Sequence, residues 1–355
     1  MKIAIDCRML TKSGIGVYLE NILEYLLDSS RYSFLLIGEK KHLSKYENRD
    51  NCEYLYTNTG IFTISELLFM NTKRINECTI YYSPNFNFPM GLKIPILLSI
   101  HDLVFLEVPR FTSPLGKYIR LLYVKRAVKQ ADVIFTVSNF SKERIISLLA
   151  AKQKIYVTYN GINRALLNYD STCVKPRFNF DYFLYVGNIK PHKGLSMLLD
   201  AYSLVRRSGD LRKLVIVGDY KSFKTRDKVV LRRISNNPDI IFTGRVTNEE
   251  LYTIMRGASM LIQPSLYEGF GIPPLESLFL GTPVVLSNIP VFKELYANLD
   301  VCFYDLESTH QLAEYMLNGV EKKSSNFILP VQFDYRYAAN VILKIINSYE
   351  SFTTR

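Results

Sequence analysis

The chain has 355 residues, 48% hydrophobic and 22% charged. That is too long for one ordinary core and unexceptional for a soluble globular enzyme, so two α/β domains are expected. The five cysteines, Cys7, Cys52, Cys78, Cys173 and Cys302, are scattered, with no CxxC or Cys/His cluster. This excludes a disulfide framework and a zinc site and fits a reducing cytoplasm. The net charge of +11 falls mainly in residues 1–165, where 22 Lys and Arg face 14 Asp and Glu, a net +8. Nucleic acid, anionic lipid, phosphorylated small molecules or an unspecialised basic surface would each account for it.

The opening MKIAIDCRML reads as a strand over residues 2–6 and not as a signal peptide, since Asp6 and Arg8 interrupt the apolar region. No apolar run is long enough to span a bilayer. After a turn at Gly14-Ile15-Gly16, Leu19, Ile22, Leu23 and Leu26 recur at helical spacing. Strands are predicted at 34–37, 80–82, 94–100, 133–137 and 155–158, with helices at 114–130 and 139–149, the second capped by Ser138 or Asn139. Residues 163–179, polar and containing Pro176, read as an interdomain linker. The pattern then restarts. Strands are expected at 183–186, 214–217, 240–242, 260–263, 284–286 and 301–304, and helices at 195–205, 248–256, 273–280 and 309–317. A last helix, 335–349, follows. Alternation of this kind gives parallel sheets and two Rossmann-like domains, 1–165 and 166–335, with a C-terminal helix and tail over 336–355.

Three segments carry chemistry. Glycines in the Gly14-Ile15-Gly16 segment allow a ligand close to the backbone and a helix N-terminus. A tight βα turn explains them equally well, and Leu19 in place of a third glycine disfavours a dinucleotide. Gly187-Asn188-Ile189-Lys190-Pro191-His192-Lys193-Gly194 combines a glycine turn, two lysines and a helix start at a strand's carboxyl end, a suitable cradle for a diphosphate. In Pro264–Glu276, a Gly/Pro-rich loop carries Glu268, and Pro273 starts a helix whose first turn is expected to hold Glu276. Two carboxylates beside glycine-exposed amides suit a polyhydroxylated ligand such as a sugar or ribose. A helix glutamate compensating the dipole is the plain reading of Glu276 taken alone. His101-Asp102 ends another strand; the histidine is open to a structural or a catalytic role.

Taken in order, DCRML, SGIGVY, HDLVFLEVP, TVSNFSKERI, VTYNGIN, VGNIKPHKGL, FTGRVTNEELY, PSLYEGFGIPPLES, GTPVVLSN and VFKELY span nearly the whole chain. Together they resemble the retaining GT-B glycosyltransferases of the large family 4 (group 1) type, which includes glycogen and sucrose synthases and bacterial mannosyltransferases. The glutamate segment is the most specific of these motifs. The resemblance implies a GT-B fold, two Rossmann-like domains facing a deep cleft, with the C-terminal helix packing back toward the N-terminal domain. It implies that Glu276 meets the nucleotide ribose and Glu268 the transferred sugar, with Gly269, Phe270, Gly271 and Ile272 beside it. Lys193, Lys190 and Asn188 would meet the diphosphate, and Gly16 would let the N-terminal loop close on it. Gly244, Arg245 and Val246 would border the base, and His101 the sugar's reacting face. The chain departs from many relatives at Asn188, His192 and Val17, where they have Arg; Lys190 or Arg245 would compensate.

The resemblance further implies transfer of a hexose-type sugar with retained configuration, from a nucleotide sugar to a glycan or polyprenyl-linked saccharide in cell-surface polysaccharide biosynthesis. No cofactor and no essential metal are expected, since no Asp-x-Asp occurs. A nucleotide-sugar epimerase or a phosphorylase on the same architecture is the alternative. No nucleic-acid motif supports a nucleic-acid partner. The stretch 117–129 is basic and amphipathic: it reads as a peripheral contact with an anionic membrane, or as a core-packing helix with a solvated basic face. The expected location is cytoplasmic, at the inner face of the membrane if that contact holds.

Overall fold

The computed structural model describes residues 1–11, 13–108, 112–170, 176–218, 228–320 and 327–353. Cys173 and part of the expected linker therefore lie outside the described residues. The chain forms two compact units: Met1–Glu107 and Thr112–Asn163 with the segment from Pro330 onward, and Arg164–Leu329.

The first unit holds seven parallel strands: β1 Lys2–Asp6, β2 Ser33–Gly38, β3 Cys52–Tyr56, β4 Ile80–Ser83, β5 Ile96–Ser99, β6 Val133–Thr136 and β7 Lys154–Val157. They lie in the order β3-β2-β1-β4-β5-β6-β7. Central strands are buried on both faces, which is why they read as unbroken apolar runs. The edge strand β3, CEYLY, was not expected: it is half-exposed and offers no such run. Its helices of six or more residues begin with α1 Ser13–Leu26, α2 Ile64–Phe69, α3 Pro114–Gln130 and α4 Asn139–Leu149. Three are capped by hydroxyls, Thr63, Ser113 and Ser138, each accepting from the third amide of its helix. The turn expected at Gly14-Ile15-Gly16 is instead the first turn of α1. A Cβ on Gly16 would stand 2.4 Å from the Met9 carbonyl oxygen, so this glycine lets the helix settle on the loop after β1.

The second unit holds six parallel strands: β8 Tyr182–Val186, β9 Lys213–Val217, β10 Ile240–Gly244, β11 Met260–Gln263, β12 Val284–Ser287 and β13 Val301–Tyr304. Their order is β10-β9-β8-β11-β12-β13. Helices α5 Leu195–Arg207, α6 Lys228–Ser235, α7 Asn248–Gly257, α8 Ile272–Phe279, α9 Pro290–Tyr296 and α10 Thr309–Asn318 accompany them. One core forms where Leu198, Leu199 and Tyr202 of α5 and Leu312 and Met316 of α10 cover Leu214 and Ile216 of β9.

The chain then returns to the first unit. Helix α11, Tyr335–Thr353, packs against α1. Tyr32 hydrogen-bonds Asn347, and the Arg336 guanidinium lies 5.7 Å over the ring of Tyr25. Just before it, a bridge pairs Ile162 with Asp334, and a Cβ on Gly161 would meet the Phe333 carbonyl at 2.6 Å.

Candidate functional site

Open parallel sheets bind ligands beyond the carboxyl ends of their strands, where the strand order reverses. In the second unit that place lies between β8 and β11. The loop after β8 carries Gly187–Gly194, and the loop after β11 carries Pro264–Gly271, so the topology alone brings together two segments some seventy residues apart in sequence.

Three contacts fasten these loops. The Leu266 amide donates to the His192 carbonyl at 2.8 Å. Gly194, at φ +67°, leaves so little room that a Cβ would lie 1.7 Å from the Pro264 carbonyl oxygen. Lys193 Nζ donates to Glu268 Oε1 at 2.6 Å. The same carboxylate oxygen accepts from Ser265 Oγ at 2.8 Å, and Gln263 Nε2 donates to that hydroxyl at 3.2 Å. Ser287 Oγ holds the Ser265 carbonyl at 2.5 Å. Lys193 is one-fifth exposed and Glu268 one-tenth, so the pair sits at the rim of the buried region. A rim cation held this way can meet an incoming anion without being dragged from a dry core.

Helix α5 starts at Leu195, immediately after this loop; the Gly194 amide donates to the Pro191 carbonyl and the Met197 amide to the Gly194 carbonyl, which leaves the Leu195 and Ser196 amides as its helix-start donors. A helix start beside Lys193 is a pairing suited to a phosphate. His192 contributes no charge, because burial, followed by the charges of Lys193 and Lys190, lowers its pKa to about 3. Asn188 serves through its carbonyl, which accepts from Tyr185 Oη and from the Lys190 amide, both at 3.1 Å. Lys190 itself is partly exposed.

Glu276 stands differently from the expectation. Helix α8 begins at Ile272, with Gly271 at φ +88° as its cap and Pro273 and Pro274 near its start, so Glu276 is the fifth residue and not in the first turn. It is buried, and burial alone raises its pKa to about 7. A glutamate serving only to offset the helix dipole would be exposed and ordinary in acidity. Tyr296, within electrostatic reach of both carboxylates, donates its hydroxyl to the Gly271 carbonyl. Burial first, then the charges of Glu268 and Glu276, push its pKa well up. A Cβ on Gly271 would lie 2.6 Å from the Phe292 ring, which explains the glycine. The Phe270 ring is 3% exposed and packs edge-on against Tyr296, so this residue can reach a ligand only through its backbone.

Gly244 ends β10 and Arg245 and Val246 follow it, two strands from β8 and about 10 Å from it by ordinary strand spacing. Arg245 is exposed. An unanticipated row of glycines bridges the interval. The Gly218 amide donates to the Gly244 carbonyl at 3.2 Å, and a Cβ on Gly218 would meet the Gly187 carbonyl at 2.0 Å. Glycines thus stand at the carboxyl ends of β8, β9 and β10. Ser265 and Gly218 were missed in the sequence; only the glycine after the apolar run LVIVG signalled its place.

His101 and Gly16 belong to the first unit. His101 Nε2 donates to the Pro84 carbonyl at 2.9 Å, which places the ring proton on that nitrogen because a carbonyl only accepts. Its ring meets Tyr18 edge-on at 4.8 Å, and burial lowers its pKa to about 4. The ring is therefore neutral at physiological pH. The first unit's own reversal lies between β1 and β4. There Arg8 Nη2 meets Asp6 Oδ2 at 2.5 Å and Glu66 Oε1 at 2.6 Å, with all three side chains no more than 3% exposed. Asn87 Nδ2 donates to Glu66 at 2.5 Å and Tyr81 Oη to Asp6 at 2.9 Å.

Residues 175–326 match the family model of glycosyl transferases group 1, and residues 81–166 match that of glycosyltransferase family 4. The chain is 28% identical to O-antigen chain mannosyltransferase B of Escherichia coli over 230 residues, 61% of this chain and 58% of that one. It is 31% identical to O-antigen chain mannosyltransferase RfbU of Salmonella typhimurium over 185 residues, 51% of this chain and 49% of that one. The chain thus spans about half the length of these curated relatives. In fold it is similar to Anabaena HepE, solved in complex with UDP and glucose, with a TM-score of 0.67 over the whole of both chains at 16% identity.

Proposed function

We propose that this chain, which carries the family 4 and group 1 domains of the glycosyltransferases, transfers a hexose-type sugar from a nucleoside-diphosphate sugar to a glycan or lipid-linked saccharide. The observation that carries the reading is the Lys193–Glu268 contact at the reversal between β8 and β11, beside the first turn of α5. Lys193 and the helix amides receive the diphosphate; Glu268 holds hydroxyls of the sugar; Glu276 accepts from the ribose. The bond from the anomeric carbon to the diphosphate breaks while the acceptor oxygen bonds to the same face, and the acceptor proton passes to a diphosphate oxygen. Configuration is retained. Charge developing on the leaving diphosphate meets donors already in place, which is where such a site gains its rate. Neutral His101 acts as a hydrogen-bonding group near the sugar and not as a cation. No essential metal takes part. The O-antigen relatives support a mannosyl or related hexosyl transfer in surface polysaccharide assembly, in the cytoplasm.

The test is incubation of the purified chain with GDP- and UDP-sugars and a saccharide acceptor, in the presence and absence of a chelator. Transfer with release of nucleoside diphosphate, retained anomeric configuration by NMR and indifference to the chelator are expected. Epimerised donor without diphosphate release would sink the reading.

A further inference from the structure

Glu268 has two donors on one oxygen. Its Oε1 accepts from Lys193 Nζ at 2.6 Å and from Ser265 Oγ at 2.8 Å, while Oε2 has no hydrogen-bond partner among the described residues. The two donors are built differently. Lys193 is one-fifth exposed and carries its charge on a long, flexible stem. Ser265 is fully buried, and its backbone is fixed on both sides. Its carbonyl accepts from Ser287 Oγ at the end of β12, and the next amide, that of Leu266, donates to the His192 carbonyl. On backbone pinned to a neighbouring strand and to the facing loop, the serine can move its hydroxyl oxygen only by turning about one bond.

Behind the serine stands Gln263, the last residue of β11 and 1% exposed. Its Nε2 donates to Ser265 Oγ at 3.2 Å. Proton counting gives this chain a direction. A hydroxyl owns a single proton, which goes to the carboxylate oxygen, and the amide fills a lone pair of the hydroxyl. From amide to hydroxyl to carboxylate, each bond polarises the next in a dry setting. The other end of the amide, Oε1 of Gln263, is buried without a partner among the described residues. A polar side chain that only ties strands together is expected to have both ends satisfied. This one is engaged at a single end, the end that meets Ser265.

Donor binding is where the difference between lysine and serine matters. In the reaction proposed above, Lys193 turns to the diphosphate, and its hold on Glu268 weakens just as the sugar arrives. We propose that Ser265, oriented by Gln263, is a positioning residue: it keeps Oε1 of Glu268 in place while Lys193 changes partner, so that Oε2 stays open to a hydroxyl of the sugar. Small misplacements of such a group are costly in a site that works by orientation. This role rests on the assignment of Lys193 to the diphosphate and Glu268 to the sugar. It adds that one buried serine separates the two ends of the donor, serving the sugar and leaving the diphosphate untouched.

Calorimetric titration of the full chain with GDP, GDP-mannose, UDP and UDP-glucose tests this. For the pair that binds, Ser265→Ala should raise the Kd of the nucleotide sugar about tenfold, the scale of one hydrogen bond to a charged group, and leave that of the bare diphosphate within about twofold. Lys193→Met should weaken both. Ser265→Cys, which keeps a weak donor, should fall between serine and alanine. Gln263→Met removes the donor behind the serine at similar volume and should cost about threefold with the same split. In a Glu268→Gln chain the further change Ser265→Ala should cost less than about twofold, since no carboxylate is left to orient. Thermal midpoints identify a misfolded variant; should Ser265→Ala be one, the split is read from Ser265→Cys and Gln263→Met. Equal losses on both ligands would overturn the proposal, because the serine would then only tie the loops together. So would the full tenfold loss in the Glu268→Gln chain, or a Ser265→Ala chain that binds the nucleotide sugar as the wild type does. A wild type that binds neither diphosphate is a separate result: it removes the assignment of Lys193, and the role of Ser265 with it.

Discussion

Each sheet reverses its strand order once, between β1 and β4 in the first unit and between β8 and β11 in the second, and each reversal carries a cation joined to a carboxylate. In the first, Arg8 lies between Asp6 and Glu66, and none of the three is more than 3% exposed. In the second, Lys193 and Glu268 keep one-fifth and one-tenth of their surface in water. The residues also differ in kind. A planar guanidinium is suited to being locked between two carboxylates, whereas a lysine is a point charge on a flexible stem that can change partners. The same topological position has been closed by structure in one unit and left open to a ligand in the other.

The largest expected effect tests the closed side. Arg8→Met leaves Asp6 and Glu66 buried without their cation, and should cost about 3–5 kcal/mol of stability in denaturant titration. A loss below 1 kcal/mol would mean that the network is not structural. The mirror experiment is Lys193→Met. At a partly exposed pair the stability change should stay within about 1 kcal/mol, while turnover falls by about 10²–10³. An unfolded variant, or full activity, would erase the contrast between the two sites.

Glu276 sharpens it further. Its folded pKa of about 7 stands above the ordinary 4.5, so between those values the folded protein holds a proton that the unfolded chain has released. Its contribution to stability is complete below pH 4.5 and lost as pH rises through about 7, a change of about 3 kcal/mol. Glu276→Gln should flatten that slope, and donor affinity in the wild type should rise with pH across neutrality as the carboxylate becomes a full acceptor. A variant with the wild-type slope would refute the assignment. The smallest effect is expected at His101. Its pKa is lowered from 6.5 to about 4, so its stabilising contribution is complete above pH 6.5 and lost as pH falls through about 4. His101→Gln, which keeps a donor for the Pro84 carbonyl, should change stability at pH 7 by less than about 1 kcal/mol and remove part of that acid slope.

Much of the open site was legible in the sequence because its parts are local: a strand end, glycines, a lysine loop and a proline-led helix. Where one strand's register matters little, as in the unbroken runs of β1 or β12, elements were recognisable within a residue or two. The closed site was not legible. Arg8 and Glu66 are 58 residues apart, and Glu66 stands on a short helix that follows an edge strand, neither of which has the apolar periodicity that announces an element. The tie between Lys193 and Glu268, across 75 residues, likewise comes from strand order and not from any pattern along the chain.

Helix α11 has a consequence for how the protein is made. Nearly all of the second unit comes from one stretch, residues 164–329, which can close as soon as it leaves the ribosome. The earlier-synthesised unit cannot finish, because Tyr32, Gly161 and helix α1 await partners in residues 330–353. Contacts of such sequence separation form slowly, since a long loop must close before they repay its entropy. The portion of the chain translated first is therefore completed last, and until then the surface of α1 that α11 will cover stays exposed to chaperones and to aggregation.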